Sequence, residues 1–215
     1  MKQAFISWFK GMARPKMERR IPACILSIVC MGFCVAMLDR IAFGTDPCSC
    51  FNLGFSRMIG WSFGTWQMLC NVLLFFIVIR FDTSRIGLGT FVNALLVGYF
   101  AEFFMFVLDF FPGINASLPL LTRTLIFLPV GMLFLTVVAI YIVVDMGVAP
   151  YDAMPQIISR KTGIPFLYTR TAWDLAFVIG GLLTKSTVGP MTLLVAFGMG
   201  PMVGVVAKKF EPFFN

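Results

Sequence analysis

GTDPCSCFNLGFSRMIGWSF (Gly44–Phe63) and GVAPYDAMPQIISRKTGIPF (Gly147–Phe166) carry one pattern, which is Gly-x-x-Pro, eight residues, and then Ser-Arg-x-x-Gly-x-x-Phe. The copies are 103 residues apart, and after the loss of one residue the match resumes at an offset of 102. Identical Pro, Ser, Arg and Gly residues at constant spacing arise by chance less readily than two similar apolar helices, so the sequence predicts an internal duplication. The shared motif residues are Gly44, Pro47, Ser56, Arg57 and Gly60 in the first copy, and Gly147, Pro150, Ser159, Arg160 and Gly163 in the second.

The composition around this motif is that of a membrane protein. Of 215 residues, 59% are hydrophobic and 13% are charged, whereas soluble domains average about 45–50% apolar and about 25% charged residues. The absence of histidine excludes histidine-ligated haem, HExxH zinc sites and Ser-His-Asp catalysis. Because the sequence also lacks other nucleophile–base pairs and metal-ligand clusters, we expect no enzyme activity, no cofactor and no metal.

Apolar runs of about 20 residues predict an all-α polytopic membrane protein with six transmembrane helices. The runs do not alternate between polar and apolar residues, which argues against a β-barrel. The predicted spans are Ile21–Leu38, Phe63–Ile79, Ile86–Val107, Thr124–Val144, Phe166–Leu183 and Val188–Val206.

Charge predicts the orientation of the spans. Of the 17 Lys and Arg residues, 13 fall on the side that holds both termini and four on the opposite side, which indicates cytoplasmic termini. This distribution explains the net charge of +7 without a nucleic-acid partner. We therefore expect a cytoplasmic basic segment over 1–20, one membrane domain over 21–207 in the inner membrane, and a cytoplasmic tail over 208–215.

The duplication gives each half three spans, with repeat 1 over about 20–110 and repeat 2 over about 123–207. An odd number of spans forces consecutive repeats into opposite orientations. Inverted repeats of this kind recur in secondary transporters, whose substrate site lies near the bilayer midplane between the repeats.

Each motif predicts a short helix between the first two spans of its repeat, over Pro47–Ile59 and Pro150–Thr162. Proline suits the first helical position, Asp46 is a plausible N-cap, and the glycine that follows each segment can end the helix. Such helices are too short to span, so they lie at the interface or are re-entrant. Re-entrant N-termini would favour an anionic or dipolar ligand, whereas on the surface Arg57 and Arg160 would be interface anchors.

Polar residues within the spans are costly and therefore indicate function. Arg170 and Asp174 lie one helical turn apart and can form a pair, and their repeat mates are Gln67 and Asn71. The candidate substrate- or ion-binding residues are Asp174, Glu102, Asn71, Arg170, Gln67 and Asn93. The alternative is that the same residues make hydrogen bonds between helices.

The paired motifs, each followed by a span and a glycine-rich helix such as GLGTFVNALLVG (Gly87–Gly98), resemble the YczE/YyaS/YitT-type bacterial membrane proteins. The likeness covers roughly Arg20–Val206. That family often has a small-Pro-Trp-Asp turn, from which DPCSC in the first copy departs, whereas APYDAM in the second, with Asp152, is closer. The resemblance implies an integral inner-membrane protein and names no substrate.

Three functions follow from these patterns. The first is a small-molecule transporter or permease that works by alternating access at the repeat interface. The second is a non-transporting membrane accessory protein that binds a partner or lipid. An intramembrane enzyme is the weakest of the three. The pattern Gly200-x-x-x-Gly204 permits close helix contact within the chain or in a homodimer.

Overall fold

A computed structural model of the chain describes residues 16–82 and 86–214, and these residues form eight helices and no strand. Most of the predicted basic segment 1–20 lies outside the described residues. The helices are α1 (Met17–Arg40), α2 (Pro47–Ile59), α3 (Phe63–Phe81), α4 (Leu88–Asp109), α5 (Leu120–Val144), α6 (Pro150–Thr162), α7 (Phe166–Leu183) and α8 (Pro190–Phe214). We call α1–α4 the first half and α5–α8 the second half.

The two short helices have the predicted bounds, because their ends are encoded locally. Asp46 caps α2, its side chain accepting a hydrogen bond from the Ser49 amide at 3.0 Å, and proline begins both α2 and α6. Gly60 and Gly163 follow the helices with φ of 72° and 73°, a left-handed conformation that residues with a Cβ adopt only with strain.

Four helices, α1, α3, α4 and α5, are long and apolar enough to cross a membrane, and the bent pair Pro190–Met199 and Gly204–Phe214 within α8 adds a fifth if it counts as one span. The helix α7 falls short by this measure because Arg170 and Asp174 lower its apolarity. Length and composition therefore support four or five of the six predicted spans. The last helix continues through residues 208–214, the segment predicted to be a tail.

The outer surface of the helices is apolar. Large side chains that are more than half exposed include Leu26, Phe76, Phe103, Leu125 and Leu183. An apolar surface of this extent marks contact with lipid or a partner, and together with the apolar helices it supports a membrane location. The main buried core lies inside this shell and centres on α1, α4 and α5.

Helices at equivalent positions in the two halves make equivalent contacts. The first helix of each half packs against the last helix of that half, α1 on α4 and α5 on α8. Each short helix packs against the second long helix of the opposite half, α2 on α7 and α6 on α3. The two halves are therefore interleaved rather than placed side by side.

Two hydrogen bonds cross between the halves at equivalent places. The Gly89 amide donates to the Met146 carbonyl at 2.7 Å, and the Met191 amide donates to the Phe43 carbonyl at 3.1 Å. Glycine is required beside both bonds, because Gly44 and Gly147 have φ of 74° and 112° and a Cβ at either position would collide with the opposite half. The start of each short helix is thus held against the start of the last helix of the other half.

Candidate functional site

A central cavity of about 80 Å³ lies where the two halves meet. It has room for several water molecules or a small solute, and each of the eight helices contributes to its wall. The lining residues are Met31, Val35, Asp46, Pro47, Cys48, Ser49, Gln67, Asn71, Asn93, Val97, Phe134, Val138, Tyr141, Ala149, Tyr151, Asp152, Arg170, Val195 and Met199.

The cavity wall follows the internal duplication. Sixteen of the lining residues form eight pairs at the offset of 103 or 102, such as Met31 with Phe134 and Gln67 with Arg170. The N-terminal turns of the two short helices enter the wall at equivalent positions, as Ser49 and Asp152 illustrate. The cavity therefore lies at the interface between the two halves, and a substrate site there stays a prediction.

The second half supplies a charged network centred on Arg170. Its Nη1 donates to Asp152 at 2.5 Å and its Nε to Asp174 at 2.9 Å, so the predicted pair along α7 forms. The Tyr151 hydroxyl donates to the other Asp174 oxygen at 2.6 Å. Asp174 is fully buried behind the cavity wall and positions Arg170 and Tyr151, both of which line the cavity.

One nitrogen of Arg170 has a weak partner. The Nη2 group donates to the sulfur of Met199 at 3.3 Å, and a thioether is a poor hydrogen-bond acceptor. The other two nitrogens, Nε and Nη1, each donate to a carboxylate. The Nη2 group therefore keeps N–H donors that a better acceptor inside the cavity could take.

The first half supplies neutral polar groups at the equivalent positions. Asn71 donates to the Ala94 carbonyl at 3.4 Å, and Asn93 lines the cavity on α4. Gln67 is 5% exposed, and its Oε1 has no hydrogen-bond partner. Buried polar atoms are rarely left unsatisfied, so the Gln67 acceptor needs an explanation.

Asp46 is a carboxylate that makes no direct ion pair among the described residues. Its side chain accepts the capping hydrogen bond from Ser49, and no ion pair involves it among the residues that the structure describes. Burial raises the pKa of the Asp46 carboxyl above its ordinary value, and hydrogen bonding from Ser49 partly opposes this rise. Arg170 acts on Asp46 only at a distance, where its charge also opposes the rise, whereas Asp152 and Asp174 contact Arg170 directly.

The charge balance at the cavity changes the ligand expected from helix dipoles alone. Asp46 caps α2 and Asp152 lies in the first turn of α6, so each positive helix end already has a carboxylate beside it. Together with Asp174, three carboxylates surround the one guanidinium of Arg170 within the described part of the chain. Residues 16–82 and 86–214 hold no cluster of His, Cys, Asp or Glu that could bind a metal ion.

The remaining predicted site residues lie outside the cavity. Glu102 accepts a hydrogen bond from the Gly64 amide at 3.0 Å and so caps the start of α3. Arg57 pairs with Asp39 at 2.5 Å, and Arg160 pairs with Asp82. The serines Ser56 and Ser159 bond to nearby backbone carbonyls, and the motif glycines serve turns and close contacts.

Sequence reasoning missed Tyr151 and assigned Asp46 only to capping. Both could have been found by applying the repeat offset to the residues around each proline, because Tyr151 is the mate of Cys48 and Asp46 the mate of Ala149. The turns of both short helices would then have been recognised as one composite surface.

A second cavity of about 330 Å³ lies between α7 and α8 and shares Arg170, Val195 and Met199 with the central cavity. The corresponding α3–α4 seam is more closely packed. A Cβ on Gly98 would lie 3.1 Å from the Gly64 Cα, so these glycines allow the two helices to meet. The repeat mate of Gly64 is Leu167, whose side chain lines the second cavity.

A family model matches nearly the whole of this architecture. The "Family of unknown function (DUF6198)" matches residues 18–208. The chain belongs to this family. No solved structure gives a significant match.

Two relatives of Bacillus subtilis (strain 168) confirm the resemblance predicted from the motifs. The chain is 23% identical over 174 residues to "Uncharacterized membrane protein YczE", which covers 80% of this chain and 78% of the relative. It is 24% identical over 193 residues to "Uncharacterized protein YyaS", covering 88% of this chain and 92% of the relative. The description of YczE supports a membrane protein, and neither description carries information on substrate.

Proposed function

We propose that the protein is a membrane transporter for small polar solutes and that it works by alternating access around the central cavity. The observation that carries this proposal is the composition of the cavity wall, where polar residues at equivalent positions of the two halves converge. A site between two related halves is the arrangement used by secondary transporters, because the halves can rock against each other around it.

The proposed architecture has six spans arranged as two inverted repeats. The polar residues of α7 support its place as the fifth span, because Asp174 is fully buried and the Arg170 side chain is only 13% exposed. The residues that α7 leaves exposed are largely apolar and include Leu175, Ile179 and Leu182. A span of this kind can cross lipid, since its charges face the protein interior.

The charge distribution supports an inner-membrane location with both termini in the cytoplasm. A homodimer through α8 stays a prediction. The open space beside Gly204 would let a second copy approach α8 closely at that point. We assign no catalytic role to the chain.

The second cavity supports an access route between α7 and α8. It meets the central cavity at Arg170, Val195 and Met199, while the equivalent seam between α3 and α4 is closed by Gly64 and Gly98. In alternating access, the two seams would open in turn. The asymmetry then corresponds to one of the two end states, with the α7–α8 seam open.

Uptake into proteoliposomes tests the proposal. Labelled amino acids, polyamines, polyols and carboxylic acids are assayed separately with the wild-type chain, with Gln67→Trp, which fills the central cavity, and with Glu102→Gln as a matched control outside it. We expect uptake of one solute class, its loss in Gln67→Trp and its retention in Glu102→Gln.

Two outcomes would overturn transport. One is the absence of uptake in all four classes, which would favour the non-transporting accessory function. The other is equal uptake by the wild-type chain and by a folded Gln67→Trp variant, which would exclude the central cavity as the site.

A further inference from the structure

We propose that the ligand of the central cavity is a small zwitterion, whose ammonium group binds Asp46 and Gln67 and whose carboxylate binds Arg170. This inference names the substrate class of the proposed transporter and rests on the central cavity being its binding site. It depends on three groups whose bonding is incomplete and which line the same cavity.

The first incomplete group is the Asp46 carboxylate. It accepts hydrogen bonds from the Ser49 amide and the Ser49 side chain and makes no direct ion pair among the described residues. Its two oxygens offer more lone pairs than these two bonds use. A ligand cation would supply a directly bound counter-charge, and an ammonium group would supply hydrogen-bond donors as well.

The second incomplete group is the amide oxygen of Gln67. The side chain is 5% exposed and lies in the cavity wall, and the Oε1 atom has no donor. As the amide is placed, Oε1 is satisfied only by an N–H or O–H group, which an ammonium group supplies and a purely anionic ligand does not. Gln67 and Asp46 both belong to the first half, so they define an acceptor face suited to an ammonium group.

The third incomplete group is Arg170 in the second half. Its Nη2 donates to the Met199 thioether at 3.3 Å, which a ligand carboxylate could replace with a far stronger acceptor. This donor belongs to the second half and the acceptor face belongs to the first. One ligand that carries opposite charges at its two ends therefore matches both faces.

Net charge separates a zwitterion from singly charged ligands. An anion would add a fourth negative group to the three carboxylates around Arg170. A cation would offer no acceptor to Arg170, whose Nη2 group would remain bound to the sulfur of Met199. A zwitterion adds no net charge and satisfies both faces. The cavity volume of about 80 Å³ limits the ligand to a small molecule, of the size of the smallest amino acids.

Binding to the purified full-length chain in detergent tests this assignment with glycine, ethylammonium and propionate as probes. Tryptophan fluorescence reports binding, because the Trp173 ring lies 5.9 Å from the Tyr151 ring at the cavity wall. We expect glycine to bind at least about tenfold more tightly than either singly charged probe. Equal or tighter binding of ethylammonium or propionate, or no binding of glycine, would overturn the proposal.

Asp46→Asn tests the role of the carboxylate, because asparagine is an equally good N-cap and should preserve α2. We expect at least about tenfold weaker glycine binding and a shift in preference toward propionate, which loss of a purely structural contact would not produce. Asp109→Asn is the matched control, since Asp109 is an exposed carboxylate distant in sequence from the cavity-lining turns and paired with Arg40. Wild-type glycine affinity in a folded Asp46→Asn chain would contradict the assignment.

The outcomes separate this inference from the proposed function. Glycine binding that needs Asp46 but occurs without uptake would leave the zwitterion site standing and overturn transport. Uptake of a solute that is not a zwitterion, with no glycine binding, would leave transport standing and overturn the zwitterion site.

Discussion

The buried network of Arg170 predicts the stability of two variants, and the equivalent pair in the first half provides the control. Arg170→Gln removes the only cation that Asp152 and Asp174 contact among the described residues, and Asp174 is fully buried. Removing one partner of a buried ion pair costs about 3–5 kcal/mol, because the other charge stays buried and uncompensated. We therefore expect the free energy of unfolding to fall by about that amount.

The first half already holds a neutral version of the same pair. Gln67 and Asn71 occupy the positions equivalent to Arg170 and Asp174, so the double variant Arg170→Gln with Asp174→Asn copies a pair that this fold accommodates. Asp174→Asn alone loses a charge-assisted hydrogen bond worth about 1.5–3 kcal/mol, with Arg170 still bound to Asp152. We expect the double variant to be more stable than Arg170→Gln alone, with a coupling energy of about 2–3 kcal/mol.

Unfolding in mixed micelles, followed by far-ultraviolet circular dichroism and tryptophan fluorescence, measures the four free energies of this cycle. Asp109→Asn serves as a control, because its carboxylate is 64% exposed and exposed ion pairs contribute about 0–1 kcal/mol. Strict additivity of the two substitutions would refute the reasoning, since it would mean that Arg170 and Asp174 do not act as a pair.

Three further predictions follow from contacts outside this pair. Gly60→Ala should lower the free energy of unfolding by about 1 kcal/mol in a thermal unfolding assay, because alanine is strained at a φ of 72° although its Cβ would meet open space. Gly44→Ala should cost more, because its Cβ would also collide with the opposite half. Equal losses for the two variants would contradict the close contact between the halves at Gly44. Glu102→Ala should lower the free energy of unfolding by about 1 kcal/mol, because the Gly64 amide at the start of α3 loses its acceptor. Solute uptake per folded molecule should not change. A selective loss of uptake would mean that Glu102 belongs to the binding site. Tyr151→Phe should destabilise the chain by about 1.5–3 kcal/mol in the same unfolding assay, because its hydroxyl bonds to a charged carboxylate; an unchanged midpoint would argue against that bond.

The sequence was most informative where structure is encoded locally. The bounds of α2 and α6 follow from proline at the start and glycine at the end, and the pair of Arg170 and Asp174 follows from helical spacing. The repeat offset pairs residues that line the same cavity, such as Gln67 with Arg170. These features need only near neighbours or identical residues at a constant spacing.

The rest depends on contacts between distant segments, which spacing cannot supply. Glu102 is as polar as Asp174, yet it caps α3 while Asp174 lies behind the cavity wall, because the two helices present different faces to the core. The open α7–α8 seam depends on Leu167 standing where the first half has Gly64, and its effect is visible only once the helices are packed. The unpaired Asp46 required knowing which residues surround it.

The crossed hydrogen bonds also bear on how the protein is made. The carbonyl of Phe43 is synthesised with the first half, well before its partner, the amide of Met191 at the start of α8. The loop before α2 therefore lacks this hydrogen bond during synthesis of the first half and gains it only after α8 has been made. A nascent chain arrested before α8 should therefore be more accessible to proteases and chaperones than the finished chain. Synthesis of α8 should complete the contacts between the two halves.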